Sequence, residues 1–505
     1  MRLLRILVLL LAGGLAASAQ TNSAPAQVRE LSLQECIELA LKNNIELQIE
    51  RYNPEISLYA LQGTYGAYDP TLALSGQHDH NESGTTLLSG SIEIPGSVSD
   101  SDSFSGSLGG LLPWGTTYGL TGNANDSYGR NFVFQTNSIV GQTFESSQAS
   151  TAINVSQPLL RNFLFDSTRL NIAVAKNRLK YSEQTLRMQI MQIITTLEQD
   201  YYDLIYSREN VLVQQKALEL ANQLVAENRK RVEVGALAPL DEKQAEAQAA
   251  TTESALITAK ALLAVQENLV KQLITDKFSD WESTGIAPTA SLTAPHQLFN
   301  LQDSWSKGLT QRPDLIQAKL DVERAGIEIK YAKNQLLPEL DVFGRYGYNG
   351  SGREFSGALY DLSTTDRPFW RYGGQLSIPL ANTAAKNAYR SAKVTREQAL
   401  LGVKRIERNI MANIDDDIKR ASAAYEAAGS TRAAREYAEA ALQAEQKKLE
   451  SGKSTTYTVL QMQRDLTNAR GNEIQALAAY NRNLAALSLD EGSTLERHGI
   501  NLQVK

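Results

Sequence analysis

The chain has 505 residues, of which 42% are hydrophobic and 21% charged, and its formal net charge is −6. That acidic balance argues against a general nucleic-acid binder, and the length admits two or three ordinary domains. Cys36 is the single cysteine, so an internal disulfide is excluded, and with four histidines and no nucleophile motif nothing in the sequence points to catalysis.

The first residues read MRLLRILVLLLAGGLAASAQ. Arg2 and Arg5 precede an apolar run, and Ala17-Ser18-Ala19 fits a small-residue cleavage site, so residues 1–19 are expected to be a secretory signal peptide. After it no apolar run approaches the ~20 residues of a spanning helix. A secreted chain of this kind is periplasmic, extracellular, or part of an outer membrane β-barrel. Cys36 is expected to pack as a small apolar residue on its helix.

A first unit is expected over residues 20–285. It opens with a helix, continues through strands, and carries a long exterior loop over 81–150. Between Asn81 and Gly110 half of the residues are Ser or Gly (9 and 6 of 30), which reads as exposed loop. A hairpin-like stretch over 104–127 either adds two wall strands or folds outside the wall, and the second is the expectation. From Leu159 to Val234 there are 76 residues without Gly or Pro. A helix of that length spans roughly 110 Å. Leu186, Ile190, Ile193, Leu197, Tyr201 and Leu204 recur at a 3.6-residue period, one face of a nearly straight helix. Gly235 ends it and Pro239 starts the next, giving a long helical hairpin over 159–275.

A second unit, expected over 286–491, repeats the plan. It holds a helix, a strand hairpin over 339–378, and a long helical hairpin over 380–489 that turns at Gly452. A tail over 492–505 remains. The turns KRVEVG (230–235) and KKLESG (447–452) have the same form. Asn44-Ile45-Glu46-Leu47 and Arg312-Pro313-Asp314-Leu315 lie 268 residues apart, as do Pro70 and Pro338. A duplication of this scale sets the architecture. In ELDVFGRYGYNG and FWRYGGQLSIPL, aromatic and aliphatic residues alternate with polar ones, which suits a wall facing lipid on one side and a lumen on the other. Two strands cannot close a barrel, so that reading requires an oligomer.

With these features in order, the chain resembles the TolC-like outer membrane efflux proteins. The resemblance covers about Ser32 to Leu489 and rests on LSLQECIELALKNNIELQ, QRPDLIQAKLDVERA, AKNQLLPEL, the QPLL and SIPL junctions, and the two Gly turns. It implies a mainly α fold with membrane β-strands. Duplicated long helical hairpins would form a trimeric periplasmic α-barrel joined to a shared outer membrane β-barrel. Each chain would give four strands to a twelve-stranded wall. The implied function is a passive exit channel for tripartite efflux or type I secretion, in the outer membrane of a Gram-negative-type cell. Its implied partners are two further copies of the chain, a periplasmic adaptor (membrane fusion protein), an inner membrane transporter and outer membrane lipid, with no nucleic acid and no cofactor. The alternative is a soluble periplasmic coiled-coil adaptor, which would carry one hairpin and compact β domains.

Under that resemblance the hairpin tips dock the adaptor: Val234, Gly235, Ala236 and Leu237 at one, Ser451, Gly452, Lys453 and Ser454 at the other. Asp241 is a candidate gate acid at the entrance; its alternative role is to complement the helix dipole. Lys230 and Arg231 are the bases nearest to it in sequence. Thr458 and Gln461 stand where some relatives carry an aspartate ring, so a strong cation constriction is not expected. Asp415, Asp416 and Asp417 sweep too wide an arc to face one way and read as a solvated face, with a lumenal acidic band as the alternative. His78 and His80 share a strand face but have no further ligands in view, so no metal site is expected.

Overall fold

The computed structural model describes residues 27–88, 92–136, 138–364 and 366–500. The expected signal peptide and the last five residues of the expected tail lie outside them.

In chain order the first repeat is β1 (Gln27–Leu31), α1 (Leu33–Asn43), α2 (Ile45–Thr64), β2 (Thr71–Glu82), β3 (Thr86–Leu88), β4 (Ile92–Ile94), β5 (Val98–Leu111), β6 (Thr117–Gln135), β7 (Ser138–Pro158), α3 (Ser167–Glu233) and α4 (Pro239–Ile274). The second is β8 (Thr284–Pro288), α5 (Leu301–Gln311), α6 (Pro313–Asn334), β9 (Glu339–Gly352), α7 (Phe355–Thr364), β10 (Pro368–Ser377), α8 (Thr383–Glu450) and α9 (Thr456–Asp490). The duplication holds for the paired helices, while β3–β6 and α7 have no counterpart. α1 and α5 have 11 residues each, α3 and α8 have 67 and 68, and α4 and α9 have 36 and 35. Ser32 and Asn300, 268 apart, are both N-caps whose side chains accept a backbone N–H.

The described chain divides into two compact units. One comprises the residues up to Ile45 with Gln192–Leu298 and Asp417–Leu487, and so holds both helical hairpin turns. Within it β1 pairs in parallel with β8. The Tyr201 hydroxyl donates to the Leu31 carbonyl at 3.0 Å, and Arg208 donates to the Ile286 carbonyl at 3.1 Å. Cys36 is buried, as its apolar role requires, and burial pushes its thiol pKa up to about 12. The six residues of the periodic face on α3 are all buried, which is what a one-faced 3.6 period demands. Asp417 departs from the solvated reading: it is 6% exposed and lies 3.6 Å from Arg420, whereas Asp416 is exposed.

The other unit comprises Glu46–Met191, Phe299–Asp416 and the residues from Ser488 on. Its centre is a six-stranded sheet in the order β10-β9-β7-β6-β5-β2, with every neighbouring pair antiparallel. This corrects two expectations. The region expected as an exterior loop over 81–150 is mostly strand, and the 104–127 hairpin lies inside the sheet as β5 and β6. The described residues therefore place six strands in one sheet where four wall strands were expected. Ser and Gly misled because a strand with one water-facing side can place Ser on alternate positions. In β5, Ser99, Ser101, Ser103, Ser105 and Ser107 occupy one face while Phe104 and Leu108 occupy the other. The β5–β6 turn is tied into the sheet, since Leu112 N–H donates to the Thr116 carbonyl at 2.8 Å and the Thr116 hydroxyl bonds Gln157 of β7.

One transverse row crosses all six strands: Leu72, Leu108, Leu120, Ile153, Tyr346 and Trp370 are successive register partners. Each is 41–68% exposed. The neighbouring row on the opposite face reads Thr71, Gly109, Gly119, Asn154, Arg345 and Arg371. A row of large exposed apolar side chains backed by a polar row is the signature of a sheet with lipid on one side and water on the other.

Two local features went unread in the sequence. α7 interrupts the expected 339–378 hairpin and packs on the sheet so closely that a Cβ on Gly350 would sit 2.4 Å from the Ala358 carbonyl oxygen. The long helices also start later than the prolines suggest, at Ser167 and Thr383, because Asn162 (φ 67°) and Asn382 (φ 44°) turn the chain first in left-handed conformations that Asn tolerates. Asp166 then caps α3, accepting the Arg169 N–H at 2.7 Å.

Candidate functional site at the hairpin tips

Each long hairpin turns through the same backbone motif. At the first tip Gly235 has φ 76°, its N–H donates to the Val232 carbonyl at 2.9 Å, and the Ala236 N–H donates to the Arg231 carbonyl at 2.7 Å. At the second Gly452 has φ 71°, its N–H donates to the Leu449 carbonyl at 3.1 Å, and the Lys453 N–H donates to the Lys448 carbonyl at 2.8 Å. Both are Schellman ends, which use the last carbonyls of a helix and need a residue with φ > 0. Lys230 and Arg231 at one tip, and Lys447 and Lys448 at the other, lie in the last helical turn, where a cation complements the dipole.

The side chains differ. Val234, Gly235 and Ala236 are exposed and Leu237 is half-buried, followed by exposed Leu240, so the first tip is apolar. Ser451, Gly452 and Lys453 are exposed and Ser454 is half-buried, hydrogen-bonded to Glu445, so the second tip is polar. Their helices start by different means. Pro239 sits in the first turn of α4 without a side-chain cap, whereas Thr455 caps α9 by accepting the Thr458 N–H at 3.3 Å.

The two hairpins meet above the tips. Leu224 of α3, Leu442 and Leu449 of α8, and Val459, Leu460 and Leu466 of α9 form one buried cluster. Arg231 crosses from the first tip to the second, donating to the Leu449 carbonyl at 3.4 Å.

The candidate gate residues are only partly brought together. Asp241 is half-buried in the first turn of α4, and its carbonyl accepts from Asn228 at 3.3 Å. Among the described residues it forms no ion pair with Lys230 or Arg231. The pairs at this tip use the neighbouring acid and another base: Arg229 reaches Glu242 at 3.1 Å and Glu246 at 3.5 Å, and Lys243 reaches Glu246 at 2.7 Å. Lys243 first, and then Arg229, holds the Glu246 carboxyl below its ordinary value. Sequence order suggested Lys230 and Arg231 because they are nearest Asp241 in the chain. The helical period turns Arg229 toward α4 instead, a signal that the i, i+4 acids Glu242 and Glu246 already carried. Thr458 and Gln461 are half-buried; Thr458 shares a hydrogen bond with Thr455 at 2.9 Å and Gln461 bonds Asp465 and Arg464, each at 3.0 Å.

Among the described residues no group of His, Cys, Asp and Glu is arranged to hold a metal. His78 and His80 are instead each paired with an aspartate of β5, Asp102 at 2.7 Å and Asp100 at 2.6 Å. No described helix is long and apolar enough to cross a membrane.

The family model for outer membrane efflux proteins matches residues 118–275 and 305–490, well over half of the chain. Outer membrane efflux protein BepC of Brucella suis is 26% identical over 329 residues, which is 63% of this chain and 67% of that protein. The Campylobacter jejuni CmeC outer membrane channel shares the fold with a TM-score of 0.65 at 16% identity, over 92% of this chain and 86% of its own. The Vibrio cholerae outer membrane protein VceC does so with a TM-score of 0.66 at 17% identity, over 91% of this chain and 96% of its own.

Proposed function

The chain belongs to the outer membrane efflux protein family, and from that premise we propose that three copies assemble into the passive exit duct of a tripartite export machine. As a family member it is an outer membrane efflux channel, which displaces the soluble-adaptor reading. In the proposed assembly the six-stranded sheets share one wall in outer membrane lipid, and the long hairpins form the periplasmic conduit. A periplasmic adaptor grips the tips at Val234–Leu237 and Ser451–Ser454, and an inner membrane transporter supplies the energy. The duct itself performs no chemistry.

The observation that carries this reading is the exposed apolar row from Leu72 to Trp370, on a sheet whose edge strands have no partner strand among the described residues. In lipid an unpaired strand edge costs several kcal/mol per exposed polar group, so such a sheet must be completed by further strands. The tips support docking. Two turns of the same backbone per chain become six around a threefold axis, which suits a partner that repeats its contact.

The test is fractionation followed by assembly. The chain should copurify with outer membranes and run as a trimer in mild detergent. Photo-crosslinkers at Ala236 and Lys453 should capture an adaptor in cells. A monodisperse monomer that stays soluble without detergent would sink the proposal.

A further inference from the structure

The six-stranded sheet changes how wide the wall of such a channel must be. In the second repeat β9 pairs directly with β10. In the first repeat β2 and β7 occupy the equivalent places, β2 beginning 268 residues before β9 and β7 ending at Pro158 as β10 leads to Pro379. Yet β2 and β7 do not pair: β5 and β6 stand between them, joined to each by a full-length register. The hairpin is thus an insertion into the wall.

Resting on the three-copy assembly proposed above, we infer that β2 of one copy pairs with β10 of the next, closing an eighteen-stranded barrel in which the β5–β6 hairpins supply a third of the strands. Four observations carry this. Every residue of β2 is exposed, as is nearly all of β10, so both edges are open. Directions alternate along the sheet, so β2 and β10 run oppositely and would pair antiparallel, as all five pairs inside the sheet do. The apolar face reaches both edges, through Leu72 and Leu74 on one and Trp370, Tyr372 and Leu376 on the other. On β9 and β10 the apolar residues extend to the Leu340–Leu376 pair, whereas on β2 and β5 they extend to the Gly76–Phe104 pair. A belt of constant height shifts along the register in this way when strands are tilted, as wall strands must be.

A second copy of this chain is the occupant that fits, because each edge is complementary to the other edge and six strands are fewer than the roughly eight of the smallest outer membrane barrels. Barrel diameter grows nearly linearly with strand number. Eighteen strands make the wall about half as wide again as twelve. With Ser, Thr and Asn prominent on the inward faces of β5 and β6, the insertion adds uncharged polar lining beside the Arg345 and Arg371 of β9 and β10. The exit would pass bulkier cargo than a twelve-stranded wall.

The experiment uses the full chain with Cys36→Ala and paired cysteines on the polar face. One set joins β2 to β10: Ala73→Cys, Ser75→Cys or Gln77→Cys, each with Arg371→Cys, Gly373→Cys or Gln375→Cys. The other joins β2 to β7: Ser75→Cys with Ser150→Cys, Ala152→Cys or Asn154→Cys. Across two intervening strands β2 and β7 are roughly 14 Å apart, too far for a disulfide. Native gels come first: absence of a trimer overturns the assembly proposal itself and leaves strand count moot. Given trimers, the expected result is covalent dimers and trimers from the β2–β10 set, none from the β2–β7 set, and eighteen strands in the cryo-EM density. Intrachain β2–β7 disulfides, or twelve strands in that density, overturn the inference.

Discussion

The two repeats keep the same backbone where they turn and differ where they meet their surroundings. Gly235 and Gly452 make the same hydrogen-bonded turn, yet one tip is Val, Ala and Leu and the other Ser, Lys and Ser. Inside, the equivalent residues after α1 and α5 both tie down the C-terminal end of a short hairpin helix. Asn44 does so by donating to the Leu273 carbonyl at 3.1 Å, and Arg312 by gripping Asp490 at 2.7 Å and Asp314 at 2.8 Å. The two repeats share this geometry, but where one holds a neutral amide the other holds a largely buried charge cluster. The second repeat should therefore be the one whose stability depends on ion pairing.

The strongest test of that difference compares Arg312→Ala with Asn44→Ala. Removing Arg312, 9% exposed, strands two half-buried carboxylates and should cost about 3 kcal/mol. Removing the buried Asn44 amide takes the donor from the Leu273 carbonyl without stranding a charge, and should cost about 1 kcal/mol. Denaturant unfolding of purified channel, followed by loss of trimer, measures both. Equal losses would mean that the two anchors are equivalent and that the charge contributes nothing of its own.

What was legible in the sequence follows from the same contrast. The long helices, their buried face and both turns could be read because a 3.6 period over many residues and a single Gly are local signals. Asp241 was rightly placed at the start of α4, but its partners were not, since proximity in sequence across a turn does not say which face a helix presents. The inserted strands were missed for a different reason. Ser-rich composition is shared by loops and by lumen-facing strand positions, and only the pairing of β5 with β2 and β6 separates them. The extra helix α7 had no periodic pattern long enough to stand out, and Asn162 and Asn382 betray themselves only through backbone angles.

A smaller effect tests whether the tips share their backbone alone. A Cβ added to Gly235 or Gly452 meets nothing within 4 Å, so only the positive φ opposes substitution. Gly235→Val and Gly452→Val should each destabilise the local turn by about 1–2 kcal/mol, leaving the trimer intact. Adaptor crosslinking should fall for each variant and fall furthest when both are present. If the double variant crosslinks normally, docking does not use these turns. If Val234→Ser weakens capture more than Lys453→Ser, the apolar tip carries more of the contact.

The smallest expected effect concerns the entrance. Its ion pairs are exposed, so they are weak and screened by salt. At the first tip they join Arg229 to Glu242 and Glu246, not Asp241 to Lys230 or Arg231. If these pairs brace α3 against α4, Arg229→Ala should raise single-channel conductance in planar bilayers at low salt and change it little at high salt. Asp241→Ala should lower cation preference through the loss of three charges around the entrance, with a smaller change in conductance. Acid should mimic the first variant. The Glu246 carboxyl is held below its ordinary 4.5, so the stability it adds is present above that value and is lost as pH falls through its lower folded value. At the second tip Glu445 is held down first by Ser454 and then by Lys448, so its loosening belongs to the same acidic range. Conductance should therefore be steady from neutral pH down to about 4.5 and rise below it, and in Arg229→Ala that rise should shrink. An acid response unchanged in Arg229→Ala would leave Glu445 and the second tip as its source, and would show that the two tips, alike in backbone, open on different contacts.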